Sequence, residues 1–256
     1  MMMNKKYSIR FIVLKISMLF LFSLNVLAEN NDQNTLIVAT HIEPPLVNII
    51  NGTFTGQNVE VAKMLANAIG KKVTFLYCPF ARCLNMTRDG KADMMIAINK
   101  TVKREKFLDY LDQPFSSKIT PVRFYIKSER KLTINNYDDL QGLTIGVLRG
   151  ATYFKRFDND PHINKVEITT HRQLIDMLLK GRIDSFLGRE LSIRNRVDER
   201  TYTNKMRMAP YTYNKRNDYY IAISKKSSDK LNIKQLSHSL DNLISDGSIN
   251  AVLTHL

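Results

Sequence analysis

The sequence predicts an α/β protein built from two units in series, each with a mainly parallel sheet covered by helices. Three observations carry this prediction. Short apolar, β-branched runs alternate with amphipathic helical stretches, which is typical of β-α-β units. The same alternation starts again in the middle of the chain. After the second unit the chain still has one strand and one helix, which predicts that it returns to the first unit.

Length and composition agree with a globular protein and exclude several classes. The chain has 256 residues, of which 44% are hydrophobic and 24% charged. These values exclude disordered, collagen-like and coiled-coil chains. The formal net charge is +14, and such an excess can attract nucleic acid, anionic membranes or acidic solutes. The basic residues form short, separate clusters with acids between them, so we expect a solvated basic surface and no nucleic-acid partner.

Residues 1–28 have the layout of a secretory signal peptide. Basic residues precede a mostly apolar run from Phe11 to Ala28, and the polar Glu29 follows at once. The alternative is a membrane anchor, but the run is short for a span of about 20 apolar residues. We therefore expect cleavage after Ala28 and a periplasmic protein.

The first unit is predicted to cover residues 29–121. Its strands are short and β-branched, and its helices carry apolar residues at helical spacing. A capping Asn and a closing Gly bound the first helix. The predicted elements are a strand at Thr35–Thr40, a helix at Val59–Ile69 between Asn58 and Gly70, a strand at Val73–Tyr77, a helix from about Phe80 to Arg88, and a strand at Ala92–Ile98.

The second unit is predicted to cover residues 122–216, and residues 217–256 return to the first. Thr170 and Gln173 form a capping box before the clearest helix. The predicted elements are strands at Val122–Lys127, Leu143–Leu148 and Ile183–Leu187, helices from Tyr153 and over Thr170–Lys180, and in the return segment a strand at Asn217–Ser224 and a helix at Leu231–Ile244. Two crossings between the units predict a hinge with a cleft. Ligands of open α/β sheets bind at the carboxyl ends of strands.

The two cysteines, Cys78 and Cys83, lie in one hexapeptide. Export to an oxidising compartment favours a disulfide between them. The alternative is two thiols, at least one of them packed in the core. No histidine lies near, so we expect no metal site there, and nothing in the sequence indicates a cofactor.

An ordered set of motifs resembles the periplasmic solute-binding proteins of family 3, the polar amino-acid receptors of ABC importers. The resemblance covers almost all of residues 34–256. It implies the type II periplasmic binding protein fold, two α/β lobes that are joined by two crossover strands and close on a ligand like a flytrap. It also implies a monomer whose partners are a small polar or anionic solute and a membrane permease. The motifs are Glu43-Pro44-Pro45, Gly90-Lys91-Ala92-Asp93, Thr101-Val102-Lys103-Arg104, the segment Leu140–Gly150 and Gly181-Arg182-Ile183-Asp184.

The resemblance implies roles for individual residues. Thr101 and Arg104 match a Thr-x-x-Arg motif whose Arg grips the carboxylate of the ligand, and a guanidinium fork suits a carboxylate. The alternative for Arg104 is a surface residue beside Glu105. Gly150-Ala151-Thr152 matches a turn before a helix, where free N–H groups suit an anion, and the same geometry also serves a plain helix cap.

Three further residues are candidate ligand residues. Phe80 lies where the family often has an aromatic residue that stacks on the ligand, and its alternative is a core position. Arg82 is a second cation if it faces the cleft, and a solvated helix residue otherwise. Glu43 follows the first strand and is a candidate at the cleft, while its neighbour His41 is expected to tune the cleft or to form local hydrogen bonds.

Arg189 departs from the family pattern. Importers of amino acids usually have an Asp at this position, which pairs with the ammonium group of the ligand. A buried ammonium without a carboxylate is unfavourable. Arg189 instead favours a second acidic group on the ligand, which weakens the assignment to amino acids.

An enzyme and a sensor remain as alternatives. A few relatives of this fold are enzymes, such as dehydratases of cyclohexadienyl acids. The sequence contains none of the common catalytic motifs, so we expect no catalytic residues. A sensor of small acids that works without a transporter is the other alternative. The five histidines are scattered at His41, His162, His171, His238 and His255.

Overall fold

A computed structural model describes residues 33–214 and 216–254. The predicted signal peptide lies outside these residues. The described residues from Leu36 onward belong to one structural unit. The strands are β1 (Thr35–Thr40), β2 (Asn48–Ile50), β3 (Thr53–Thr55), β4 (Lys72–Tyr77), β5 (Met94–Ile98), β6 (Leu108–Tyr110), β7 (Ser116–Ile119), β8 (Val122–Lys127), β9 (Thr144–Leu148), β10 (Asn164–Ile168), β11 (Ser185–Gly188), β12 (Met206–Tyr213) and β13 (Arg216–Ser224).

The helices lie between these strands and at the end of the described chain. Short 3₁₀ turns occur at Asp138–Leu140 and Lys225–Ser227, and a π-helical turn at Thr201–Lys205. The helices are α1 (Gln57–Ala68), α2 (Phe80–Arg88), α3 (Val102–Glu105), α4 (Lys155–Asn159), α5 (His171–Leu179), α6 (Glu190–Arg194), α7 (Ile233–Ser245) and α8 (Ser248–Thr254).

The strands form two main sheets. The first has the order β4-β1-β5-β13-β6, with β7 paired to β13, and the second has the order β10-β9-β11-β8-β12. β1 is parallel to β5, and β9 is parallel to both β10 and β11. β13 pairs antiparallel with β5, so the chain returns to the first sheet after it has built the second. β2 and β3 form a separate hairpin.

Each sheet has its own apolar core. In the first sheet, Val38 and Met94 pack against α1 and α7 through Leu65 and Leu240. In the second sheet, the neighbours Phe186 and Leu187 of β11 belong to different clusters. Because successive strand residues point to opposite faces, this sheet is buried on both faces, as expected for strands covered by helices.

The start of α1 corrects one prediction from the sequence. Asn58 does not cap the helix, because it lies inside α1, and the N-cap is Gly56 without a side-chain hydrogen bond. Gly56 has φ 114, and a Cβ atom there would lie 2.5 Å from the carbonyl oxygen of Leu46. The close approach of this loop therefore requires glycine. At α5 the prediction is confirmed, because the Thr170 hydroxyl accepts a hydrogen bond from the Gln173 N–H at 3.2 Å.

The start of α4 corrects a second prediction. The helix begins at Lys155 with Phe154 at its N-cap, two residues after the predicted start. The N–H of Tyr153 is bound instead by the Asp158 carboxylate at 3.1 Å, and the buried Tyr153 hydroxyl accepts from the Leu148 N–H at 2.9 Å. Thr152 therefore lies two residues before the N-cap Phe154, and the first N–H after it, that of Tyr153, is already bound by Asp158.

A disulfide joins Cys78 and Cys83, which confirms the predicted pair. Both residues are buried. The bond connects the segment after β4 to the first turns of α2, the helix that begins with Phe80. It therefore fixes the backbone from which the Phe80 ring projects.

Candidate functional site

A cavity of about 200 Å³ lies between the two sheets and is lined from both sides. This is below the usual 300–1,000 Å³ of sites for drug-sized ligands, so it suits a smaller molecule. Five of its lining residues follow the carboxyl ends of strands, where open α/β sheets bind ligands. They are His41 after β1, Asn99 after β5, Thr152 after β9, His171 after β10 and Arg189 after β11.

Arg104 connects the two walls of the cavity. It is 5% exposed. Its Nη1 donates to the Asn99 carbonyl at 2.7 Å, and its Nη2 donates to the Gly150 carbonyl at 3.0 Å. Asn99 belongs to the first sheet and Gly150 follows β9 of the second. These bonds use two of the five N–H groups of the guanidinium, and the side chain lines the cavity.

Burial shifts the pKa values of Arg104 and its neighbour Tyr110. It lowers the pKa of Arg104 below its ordinary value, but a guanidinium remains charged at neutral pH. Burial also raises the pKa of Tyr110 to about 12. The neutral Tyr110 hydroxyl donates to the Asn99 carbonyl at 3.3 Å. The cavity thus has a permanent, desolvated positive charge whose position is held by backbone carbonyls.

The end of β5 has an irregular backbone that places Asn99. Ala97 has φ 61, and the pairing of β5 with β13 shifts register next to it. Such bulges re-aim the residues that follow them and are frequent at binding sites. Both Ala97 and Asn99 line the cavity.

Phe80 lies under the Arg104 guanidinium. The Cζ atom of Arg104 is 5.4 Å from the centre of the Phe80 ring, within the range of a cation–π interaction. The His41 ring meets the same ring edge to face, with centroids 5.2 Å apart. Phe80 is therefore packed against its neighbours and also lines the cavity. The sequence offered a core position and a cavity-lining aromatic as alternatives, and the structure combines them.

Glu43 binds side chains of the opposite wall. Its carboxylate accepts a hydrogen bond from the Ser192 hydroxyl and pairs with Arg196, with Nη2 and Oε2 2.8 Å apart. His41 Nε2 and His171 Nδ1 lie 3.5 and 3.9 Å from the same Oε2 atom. We call these five residues, Glu43, His41, His171, Ser192 and Arg196, the Glu43 network.

The Glu43 network shifts two titrations. Burial alone would raise the pKa of Glu43, but the hydrogen bond from His41 and the charges of His171 and Arg196 hold it well below its usual range. Burial lowers the pKa of His171 to about 4, and the Glu43 charge offsets this only in part. At neutral pH the network therefore contains an ionised Glu43 and a neutral His171.

Arg189 lies on the second wall and forms no ion pair with a carboxylate of the described residues. Its Nη2 donates to the Asn217 side-chain oxygen at 3.2 Å, while its buried Nε has no hydrogen-bond partner among the described residues. The adjacent Glu190 pairs with Arg123 at 3.7 Å, and Glu43 pairs with Arg196. The Arg189 charge therefore stays uncompensated at the cavity.

The structure brings together five of the seven candidate ligand residues. Arg104, Thr152, Phe80, Arg189 and Glu43 line the cavity. Thr101 does not line it and instead caps α3, where its hydroxyl accepts from the Arg104 N–H at 3.3 Å.

Arg82 lies outside the cavity. Its side chain is exposed on α2, which corresponds to the solvated helix residue considered as its alternative. Arg82 is therefore not carried into the proposed site.

Sequence reasoning did not assign roles to His171, Ser192, Arg196 and Lys118. His171 follows the carboxyl end of β10, a strand that the sequence analysis did not predict, so its place at the cavity was missed together with that strand. Ser192 and Arg196 meet Glu43 only through the fold, because they are 149 and 153 residues away along the chain.

The described part of the chain holds no group of three or more His, Cys, Asp or Glu side chains that is suited to a metal ion. Among the same residues, every helix is too short or too polar to cross a bilayer.

Comparison with known proteins adds a family and a fold. The model of the bacterial extracellular solute-binding proteins, family 3, matches residues 36–255. The probable amino-acid-binding protein YxeM of Bacillus subtilis is 22% identical over 226 residues, which cover 87% of this chain and 83% of YxeM.

Two solved structures resemble this one closely. A mutant of ArgBP from T. maritima has a TM-score of 0.71 at 20% identity, over 86% of this chain and 94% of that one. AbpA from Streptococcus pneumoniae, an amino acid ABC transporter substrate-binding protein bound to L-arginine, has a TM-score of 0.68 at 19% identity, over 86% and 93%. The fold class predicted from the sequence is confirmed.

Proposed function

The chain belongs to the bacterial extracellular solute-binding proteins, family 3, and from this premise we propose that it captures a small carboxylate-bearing solute for an ABC importer. Two of its relatives support the proposal. YxeM is named as a probable amino-acid-binding protein, and AbpA is an ABC transporter substrate-binding protein bound to L-arginine. Under this proposal the solute is bound and released without chemical conversion.

Arg104 is the observation that carries the proposal. Its guanidinium is buried, lines the cavity and is held by carbonyls of both walls. A guanidinium can hold a carboxylate through two parallel hydrogen bonds, and such charge-assisted bonds are about twice as strong as neutral ones. Thr152 lines the same cavity and can add a hydroxyl donor.

We propose that the two sheets are the cores of two lobes, residues 29–121 with 217–256 and residues 122–216. Binding then shifts an equilibrium between open and closed lobes, and a membrane permease recognises the closed form. The contact of Arg104 with Gly150 and the Glu43 network join the walls in the present arrangement. We further propose that residues 1–28 direct export to the periplasm and that the protein works as a monomer.

The proposal is tested by thermal unfolding in the presence of candidate solutes. The purified protein is unfolded and refolded to remove carried ligand, and then screened against amino acids, other carboxylates, sugars and inorganic anions. A carboxylate at 100 times its Kd is expected to add about 2.7 kcal/mol, which raises Tm by about 5–10 °C in a domain of this size.

Arg104→Gln is compared with Lys103→Gln, an exposed neighbour on the same helix. The carboxylate-dependent rise in Tm is expected to disappear in Arg104→Gln and to persist in Lys103→Gln. A rise that survives in Arg104→Gln, or one produced only by sugars, contradicts the proposal. Each variant is compared with itself without ligand, so a general loss of stability does not affect the result.

A further inference from the structure

We propose that the solute is a small dicarboxylate without an ammonium group, with Arg104 at one carboxylate and Arg189 and Lys118 at the other. This inference rests on the proposed function and specifies the class of solute. It starts from the charges that line the cavity. Among the described residues these are the cations Arg104, Lys118 and Arg189 and the single carboxylate of Glu43. With three cations and one carboxylate the lining therefore attracts anions.

Glu43 is already occupied. Its two oxygens bind the Ser192 hydroxyl and the Arg196 guanidinium, and two histidine rings lie within 4 Å of Oε2. Glu43 and Arg196 are only 13% and 12% exposed. A ligand ammonium would have to displace Arg196 from Glu43 and leave a buried guanidinium without its partner, which is strongly unfavourable. The lining thus has no free carboxylate for an ammonium group.

Arg189, unlike Glu43, has a donor group that is free to bind a ligand. Its Nε is buried without a hydrogen-bond partner among the described residues. Burial is the main reason that the pKa of His171 is lowered, and the Arg189 charge adds to this effect. A buried charged donor without a partner is costly. A ligand carboxylate beside Arg189 would provide both the missing acceptor and the missing countercharge.

Asn217 holds Arg189 by a hydrogen bond and is paired across the sheet with Lys118. Asn217 is fully buried. Its oxygen accepts from Arg189, and its nitrogen donates to the Thr120 hydroxyl. Lys118 of β7 is the register partner of Asn217 in β13. Antiparallel partners project from the same face of a sheet, so Lys118 lies on the side of Asn217 that Arg189 contacts.

The two cationic positions lie on different elements. Arg104 projects from α3, beside the first sheet, and Arg189 follows β11 of the second. Both line one cavity of about 200 Å³. A short molecule with an acidic group at each end can therefore contact both cations at once. Because both positions are held by hydrogen bonds before the ligand arrives, little ordering is needed on binding.

The test is a titration calorimetry series with probes of matched length. Succinate has two carboxylates and butyrate has one, and glutarate is one carbon longer than succinate. L-aspartate has two carboxylates and an ammonium group, and L-asparagine has one carboxylate and an ammonium group. We expect succinate or glutarate to bind about 10–100-fold more tightly than butyrate, the usual range for one charged hydrogen-bonded contact. We expect L-aspartate to bind no more tightly than succinate.

Arg189→Gln is expected to weaken dicarboxylate binding about 10–100-fold and to change butyrate binding less than about threefold. Lys118→Gln, at an exposed position, is expected to weaken it less, and it supplies the test if Arg189→Gln does not fold. Arg82→Gln is the matched control, since Arg82 is an exposed arginine outside the cavity, and it is expected to bind as the unmodified protein does.

The outcomes separate this inference from the proposed function. If L-asparagine binds more tightly than every dicarboxylate and depends on Arg104, the inference is overturned and the proposed function stands. If dicarboxylates bind but neither Arg189→Gln nor Lys118→Gln weakens them, the inference is overturned as well. If no carboxylate binds, both fail. A dicarboxylate preference that is lost in Arg189→Gln supports the inference.

Discussion

Acidification is expected to destabilise the protein through His171. The perturbation is a change of pH from 7 to 5, compared between the unmodified protein and His171→Gln. His171 is 11% exposed, and its pKa falls from 6.5 to about 4 on folding. Between these two values the unfolded chain binds a proton that the folded protein does not. Acid therefore favours unfolding in this window.

The size of the effect follows from the two pKa values. One pKa unit corresponds to about 1.4 kcal/mol, so lowering the pH from 7 to 5 removes about 2 kcal/mol of the unfolding free energy. The stability that the neutral His171 contributes to the folded protein is fully present above pH 6.5, and it is lost as the pH falls towards 4. Glu43, whose pKa lies far below this range, stays ionised throughout and adds little. For a domain of this size, about 2 kcal/mol corresponds to about 4–8 °C in Tm.

The assay is the thermal midpoint at half-unit steps between pH 5 and 7. His171→Gln is expected to lose about 4–8 °C less than the unmodified protein over this range. His238→Gln, which removes an exposed histidine of α7, is the control and should keep the original pH dependence. If His171→Gln and the unmodified protein show parallel curves, the buried neutral state of His171 is refuted.

Two further predictions concern stability. Gly56→Ala is expected to lose about 3 kcal/mol or more, because strain at φ 114 adds to contact with the Leu46 carbonyl. Gly52→Ala, with φ 77 and free space around its Cβ position, should lose only about 1 kcal/mol; equal losses in urea unfolding would contradict the contact. Replacing both Cys78 and Cys83 by Ser is expected to remove about 2 kcal/mol, the loop-closure value for so short a ring. An unchanged Tm, or a reductant effect that persists in the double variant, would contradict a structural disulfide.

The sequence predicted the buried elements better than the edges. β1 and β8 each contain at least three buried apolar residues, and their bounds were predicted to the residue. β7, with the sequence Ser-Ser-Lys-Ile, is largely exposed and exists because it pairs with β13. Its identity depends on a partner about a hundred residues away, and no local pattern contains that information. The short β2–β3 hairpin is different, because its partners are adjacent in the chain and its Asn51-Gly52 turn, with φ 50 and 77, is a local signal that sequence reasoning did not use.

The site residues also differ in whether a local motif or a distant segment determines their role. Arg104 and Phe80 belong to local motifs, and the structure places both in the cavity. The bond from the Tyr153 N–H to Asp158 and the pairing of Glu43 with Arg196 depend on side chains from other positions in the chain. Local patterns could therefore suggest which residues reach the cavity. They could not predict which of those residues are already paired there.

The bonds of Arg104 make affinity and lobe movement inseparable. Parting the walls would break the bond from Nη2 to the Gly150 carbonyl, so the guanidinium that would grip the solute is fully held only when the walls meet. A substitution that weakens this grip also lowers the population of closed molecules, and the apparent Kd changes by the product of both effects. Mutational affinities at this residue therefore measure a conformational equilibrium together with a contact.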